Sequence, residues 1–146
     1  MRTSTGLIST LVLGAALSLS ATAAQAAPAG PAAASVSASA SCKGLIASAN
    51  SLNDKAISAD GGRHYKKAAK YNHATQGKIV NAKAACRHAR HAAEIRHRLD
   101  AAGEATEAAE YHNKKAYIEH DRQAGREALH DGYEVEEQLH KAIKAL

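Results

Sequence analysis

The sequence predicts an all-α fold: three or four antiparallel helices, forming a hairpin or bundle, stapled by one disulfide and preceded by a disordered leader. Three observations predict it. Apolar residues beyond Ser41 recur at helical spacing instead of alternating. The long stretch from Arg63 to Leu99 contains no proline and one glycine. The chain has two cysteines, both beyond an apparent secretion signal, so an oxidising compartment would pair them.

The signal comes first in the chain. Arg2 supplies a positive start, Leu7 to Leu19 is an apolar run, and Ala24-Gln25-Ala26 has the small-x-small pattern that signal peptidase reads. Residues 1–26 therefore read as a cleaved Sec signal peptide, with an apolar run shorter than the roughly 20 residues a bilayer span requires. No second such run follows, so the mature protein is expected to be secreted, without a transmembrane segment, outside a bacterial cell. Residues 27–41 are Ala, Ser, Pro, Gly and Val without charge or helical periodicity, and read as a flexible leader. Residues 42–146 remain as one helical domain.

That domain is poor in large apolar side chains. Only 14 Leu, Ile and Val residues follow Ser41, and the chain has five Tyr but no Phe or Trp. Alanine fills most other apolar positions, which lets helices approach closely but yields little free energy on burial. A covalent staple is a common remedy in small domains. A Cys42–Cys86 bridge would close a loop of about 45 residues and stabilise by about 4 kcal/mol in the chain-entropy picture. The separation is unlike a C-x-x-C pair, which favours a structural role over redox chemistry.

Ser41 is a plausible N-cap for a first helix spanning roughly residues 42–59, with Leu45, Ala49, Leu52 and Ala56 on one face, ended by Asp60-Gly61-Gly62. A second helix is expected from Arg63 to about Leu99, with Ala68, Thr75, Ile79, Ala82, Cys86, Ala89 and Ala93 as its stripe and Gly77 as a place to kink. A turn is expected near residues 100–103. Beyond it Tyr111, Ile118, Gly125, Gly132, Leu139 and Leu146 recur every seven residues. The two glycines there would permit close helix contact, unless Asp131-Gly132 is itself a turn.

Charge is divided along the chain. Residues 42–99 hold 12 Lys or Arg against three acids, and residues 100–146 hold six against 11. Two readings follow. The basic and acidic helices could neutralise each other across a hairpin, or Arg63, Lys66, Lys67, Lys70, Lys83, Arg87 and Arg90 could bind a polyanion such as an anionic envelope polymer.

Nine histidines raise the question of metal. His88 and His91 are three residues apart, and Glu-x-x-His occurs at Glu94–His97, Glu127–His130 and Glu137–His140, spacings that put two ligands on one helical face. Zn, Cu or Ni are the ions such ligands would take. The same spacings also describe ordinary surface pairs. No hydrolase, nucleotide-binding or haem signature is present, and nucleophiles are few. The expected function is a non-enzymatic interaction or structural role in the cell envelope or extracellular space, with no resident cofactor. A His-dependent metal-binding protein and a polyanion-binding protein are the alternatives. The partner would be another protein or an anionic polymer, and the long helices are also compatible with a homodimer.

Overall fold

A computed structural model describes the backbone of residues 31–146 and the side chains from residue 41. The proposed signal peptide and residues 27–30 lie outside the described residues. Four helices follow one another: α1 (Pro31–Gly61), α2 (Tyr65–Ala85), α3 (Ala92–Ile118) and α4 (Arg122–Lys144), with a 3₁₀ turn at Cys86–His88 between α2 and α3. No strand occurs among the described residues. Consecutive helices pack side by side and α4 closes on α1, giving an up-down-up-down bundle. No described helix is long and apolar enough to cross a membrane.

The buried positions explain the bundle. In α1 they include Cys42, Ile46, Ala49, Asn53, Ala56 and Asp60; in α2, Ala68, Asn72, Thr75, Ile79 and Ala82. In α3 they include Ile95, Leu99, Ala102, Thr106, Ala109, Asn113 and Ala116; in α4, Gly125, Ala128, Gly132, Val135, Leu139 and Ala142. Each series alternates steps of three and four, the seven-residue repeat of helices that pack with shallow crossing angles. Two of every seven residues face inward, which suffices to define the bundle although many of them are Ala, Gly, Asn or Thr.

Several boundaries differ from the sequence expectation. α1 begins at Pro31, so residues 31–41 of the tract read as a leader are helical. Proline suits a first helical position, and alanine is the strongest helix former. Gly77 is exposed within an unbroken α2. The second helix instead ends at Cys86, and the expected turn near residues 100–103 lies inside α3. No glycine or proline marks the real break. Cys86 is anchored to α1 by the disulfide, and α3 starts after Ala89 enters extended backbone. The second unforeseen turn, Glu119 to Asp121, is made by His120 in the left-handed region (φ 55°) and by Asp121 as N-cap of α4. The Asp121 carboxylate accepts from the N–H groups of Gln123 (2.8 Å) and Ala124 (3.2 Å), and these bonds hold it below the usual carboxylate range. Because the chain turns here, the heptad stripe read across the region is divided: Gly125, Gly132 and Leu139 are buried, while Tyr111 and Ile118 are exposed.

The disulfide joins Cys42 to Cys86 with 4.9 Å between Cα atoms, as the sequence predicts. Around it lies the apolar half of the core, including Ile46, Ile79, Ile95, Leu99, Val135 and Leu139. The other half is polar. Asn53 donates to the carbonyl of Gly132 (2.8 Å), and Asn113 donates to Asp60 Oδ2 (3.2 Å). Thr106 returns its hydroxyl proton to Ala102 O (2.6 Å). Oδ1 of Asn53, Asp60 and Asn113 makes no hydrogen bond within the protein.

The two glycines of α4 are where neighbouring side chains come closest. A Cβ at Gly132 would stand 3.0 Å from Ile57 Cγ1, and one at Gly125 only 2.5 Å from Tyr65 Oη and 2.6 Å from Cζ. Gly125→Ala would therefore drive the whole Tyr65 ring from its seat. Alanine's better helix propensity, about 1 kcal/mol, is outweighed by overpacking of about 1–3 kcal/mol. Urea unfolding should find Gly125→Ala less stable than the parent; equal or greater stability would show that Tyr65 has room to move.

Candidate anion-binding groove

The turn between α1 and α2 sets the site. His64 N–H donates to Ala59 O (2.7 Å) and Arg63 N–H to Asp60 O (2.8 Å), the paired bonds of a Schellman ending. The left-handed position of that motif, usually glycine, is held by Arg63 (φ 59°), while Gly61 and Gly62 keep negative φ. The chain thus carries an exposed guanidinium into the turn at a conformational cost of about 1 kcal/mol.

Directly after it, Lys66, Lys67 and Lys70 stand exposed on the opening turns of α2. The positive end of a helix dipole disfavours cations, by a few tenths to about 1 kcal/mol each. No acidic residue occurs in the first turn of α2 to offset them. None of these three lysines, nor Arg63, has a carboxylate within ion-pair distance among the described residues.

The concave surface here includes two depressions that share Tyr117, with a third on the α1 side that shares His64 and Lys67. One, about 430 Å³, is lined by Arg63, His64, Tyr65, Lys67 and three further residues: Lys66, Lys70 and Tyr117. The second, about 330 Å³, shares those last three and continues towards His73 and Lys114. Tyr117 comes from the far end of α3 and is 48 % exposed. Lys66 Nζ lies 5.4 Å from its ring centroid, and Lys67 Nζ lies 5.8 Å from that of Tyr71. Glu110 binds Lys114 (2.6 Å) and approaches His73 (3.5 Å), so the second depression carries less net positive charge than the first.

The structure divides the seven basic candidates read from sequence. Arg63, Lys66, Lys67 and Lys70 meet at this corner. Lys83 and Arg87 flank a separate depression beside Cys86, and Arg90 lines another near Leu146. Thirteen residues of α2, about 20 Å, separate Lys70 from Lys83. Among the described residues, neutralisation between basic and acidic halves is realised by lysine only at Lys83, which pairs with Asp100 across α2 and α3 and lowers its carboxyl pKa. The other lysines of α2 have no carboxylate partner among the described residues; in α3, Glu110 pairs with Lys114 of its own helix and approaches His73, and Glu107 accepts from Gln76.

The histidine candidates are dispersed. His88, His91, His97, His130 and His140 are exposed, as are Glu94 and Glu137. No group of three His, Cys, Asp or Glu side chains that could hold a metal ion forms among the described residues. The most enclosed imidazole is His112, which the Glu-x-x-His spacing does not include. Its Nδ1 lies 2.7 Å from Asp131 and its Nε2 lies 3.5 Å from Glu127. Only the Asp131 contact is a hydrogen bond.

Tyr117 and Lys114 were not legible as site residues, since the break at residues 119–121 that returns α3 to this end was unmarked. No family model, no curated protein and no solved structure matches the chain. The functional reading therefore rests on the groove itself.

Proposed function

We propose that this chain is a small extracellular, non-enzymatic interaction protein, and that its working surface is the basic corner where α1 meets α2, which binds an anionic polymer of the cell envelope or its surroundings. One observation carries the reading. Lys66 and Lys67 occupy a first helical turn that disfavours positive charge, Arg63 before them holds a strained backbone position, Lys70 follows one turn on, and none of the four has an ion-pair partner among the described residues. Local rules broken together at one place mark function more often than stability. A polyanion would offset the mutual repulsion of these groups, and its counterion release would drive binding. The bundle beneath supplies a rigid platform, because Tyr65 and Tyr117 are held by α2 and α3.

The test is titration of the oxidised mature protein with fluorescent inorganic polyphosphate. Binding should weaken steeply between about 50 and about 200 mM salt. Lys66→Glu with Lys70→Glu should weaken it at least about tenfold, whereas Lys83→Glu with Arg87→Glu at the opposite end should leave it nearly unchanged. Equal effects from both pairs would reduce the interaction to net charge, and salt-independent or absent binding would remove the reading.

A further inference from the structure

The groove pairs its cations with an aromatic ring, and that combination selects among anionic polymers. We infer that the ligand is single-stranded nucleic acid, bound without sequence preference, with Tyr117 stacking a base while Lys66, Lys67 and Lys70 meet consecutive phosphates. The inference rests on the anionic-polymer reading above and makes it specific.

A polyol-phosphate or polyphosphate chain has charge but no flat face, and would make no use of a half-exposed phenol ring among lysines. A duplex has bases, but they are stacked inside and their faces are closed to a side chain. A single strand presents both features alternately, and grooves that bind it combine a basic track with aromatic platforms. The two depressions share Lys66, Lys70 and Tyr117, so phosphate donors and ring lie on one continuous path. Lys66 now rests over the Tyr117 ring on a four-carbon stem. A phosphate would draw the ammonium aside and a base would take its place, exchanging a cation–π contact for the stronger base–aromatic one. The less positive second depression, where Glu110 holds Lys114, would suit a base better than a phosphate.

The experiment is fluorescence anisotropy of the disulfide-intact mature protein with three labelled probes of about 12 nucleotides. They are oligothymidylate, an abasic strand of equal phosphate number, and a duplex. Oligothymidylate should bind about tenfold more tightly than the abasic strand. Tyr117→Ala should erase that difference while leaving the abasic affinity unchanged, and Tyr117→Phe, which keeps the ring, should retain it. Thermal melts of both variants check that the bundle is intact. Equal binding of oligothymidylate and abasic strand would overturn the nucleic-acid inference while leaving the anionic-polymer reading standing. So would preference for the duplex, or equal losses on both strands in Tyr117→Ala. Failure of every probe, polyphosphate included, would overturn both.

Discussion

Replacing both cysteines, Cys42→Ser with Cys86→Ser, should lower the unfolding free energy by about 4 kcal/mol and the melting temperature by about 15 °C. The bridge spans 44 positions and ties the body of α1 at Cys42 to the C-terminal end of α2, so its removal releases a long loop in the unfolded chain. Few other terms compensate. The inward positions around the bridge include only Ile46, Ile79, Ile95, Leu99, Val135 and Leu139 as larger apolar side chains. Cys86 also stands where α2 gives way to the 3₁₀ turn, a junction without glycine, proline or side-chain cap to define it. Paired urea melts of the oxidised parent and the double serine variant measure the effect. A loss below about 1 kcal/mol would mean that heptad packing alone holds the first hairpin.

The second large effect is a gain. Asp60→Asn should stabilise the protein by about 2–3 kcal/mol above pH 6 and by almost nothing below pH 4. Burial pushes the Asp60 carboxyl up to about 6, against which the hydrogen bond from Asn113 acts only partly. Below about pH 3.8 the group is protonated both folded and unfolded, and contributes nothing. Between that value and about 6 the unfolded chain ionises while the folded one keeps its proton, so stability falls as pH rises; above 6 the full cost of a buried charge is present. An asparagine amide removes the charge and could also donate to Asn113 Oδ1, which has no partner within the protein. The quantity to measure is the stability difference between variant and parent across pH 3.5–8. This difference separates Asp60 from Asp100, Asp121 and Glu137, whose lowered carboxyl pKa values act in the opposite direction, with stability lost on acidification. A difference that does not change with pH would show that Asp60 titrates normally.

A buried carboxyl kept at such cost, beside buried Asn53, Asn72 and Asn113, has a structural counterpart in helical bundles, where polar core residues restrict register. Here they occupy the end nearest the basic groove, and apolar residues fill the disulfide end. Asn53 bonds α1 to α4 and Asn113 bonds α3 to α1, so each fixes one level between helices that are not consecutive or that only close the ring.

The residues that announced themselves in the sequence did so through local chemistry. Helix formers and the scarcity of breakers predicted an all-helical chain, two cysteines predicted one bridge, and Asp60-Gly61-Gly62 predicted the first turn. The glycines at 125 and 132 were readable as candidates for close helix approach, with a turn at Asp131-Gly132 as the alternative; the structure keeps Gly132 buried inside α4. By contrast, the breaks at residues 86–91 and 119–121 were hidden. They depend on a disulfide partner 44 positions away and on His120 in a left-handed conformation, which its residue type does not advertise. The inward face was hard to read for a related reason: Asn53, Asp60, Asn72 and Asn113 sit on it, and a polarity pattern places such residues outside.

Composition and spacing alone thus determined the helical class, the covalent staple and the concentration of positive charge between residues 63 and 98. Tertiary structure decided which of those charges share a groove with an aromatic ring. It brought Tyr117 from a distant helix to Arg63, Lys66, Lys67 and Lys70, whereas Lys83 and Arg87 border a separate depression about 20 Å or more beyond Lys70 along α2. The reason is physical. A residue's helical preference is set by its neighbours within about one turn, whereas a site forms where separate helices meet, and that meeting is fixed by turns and packing that act across the whole chain.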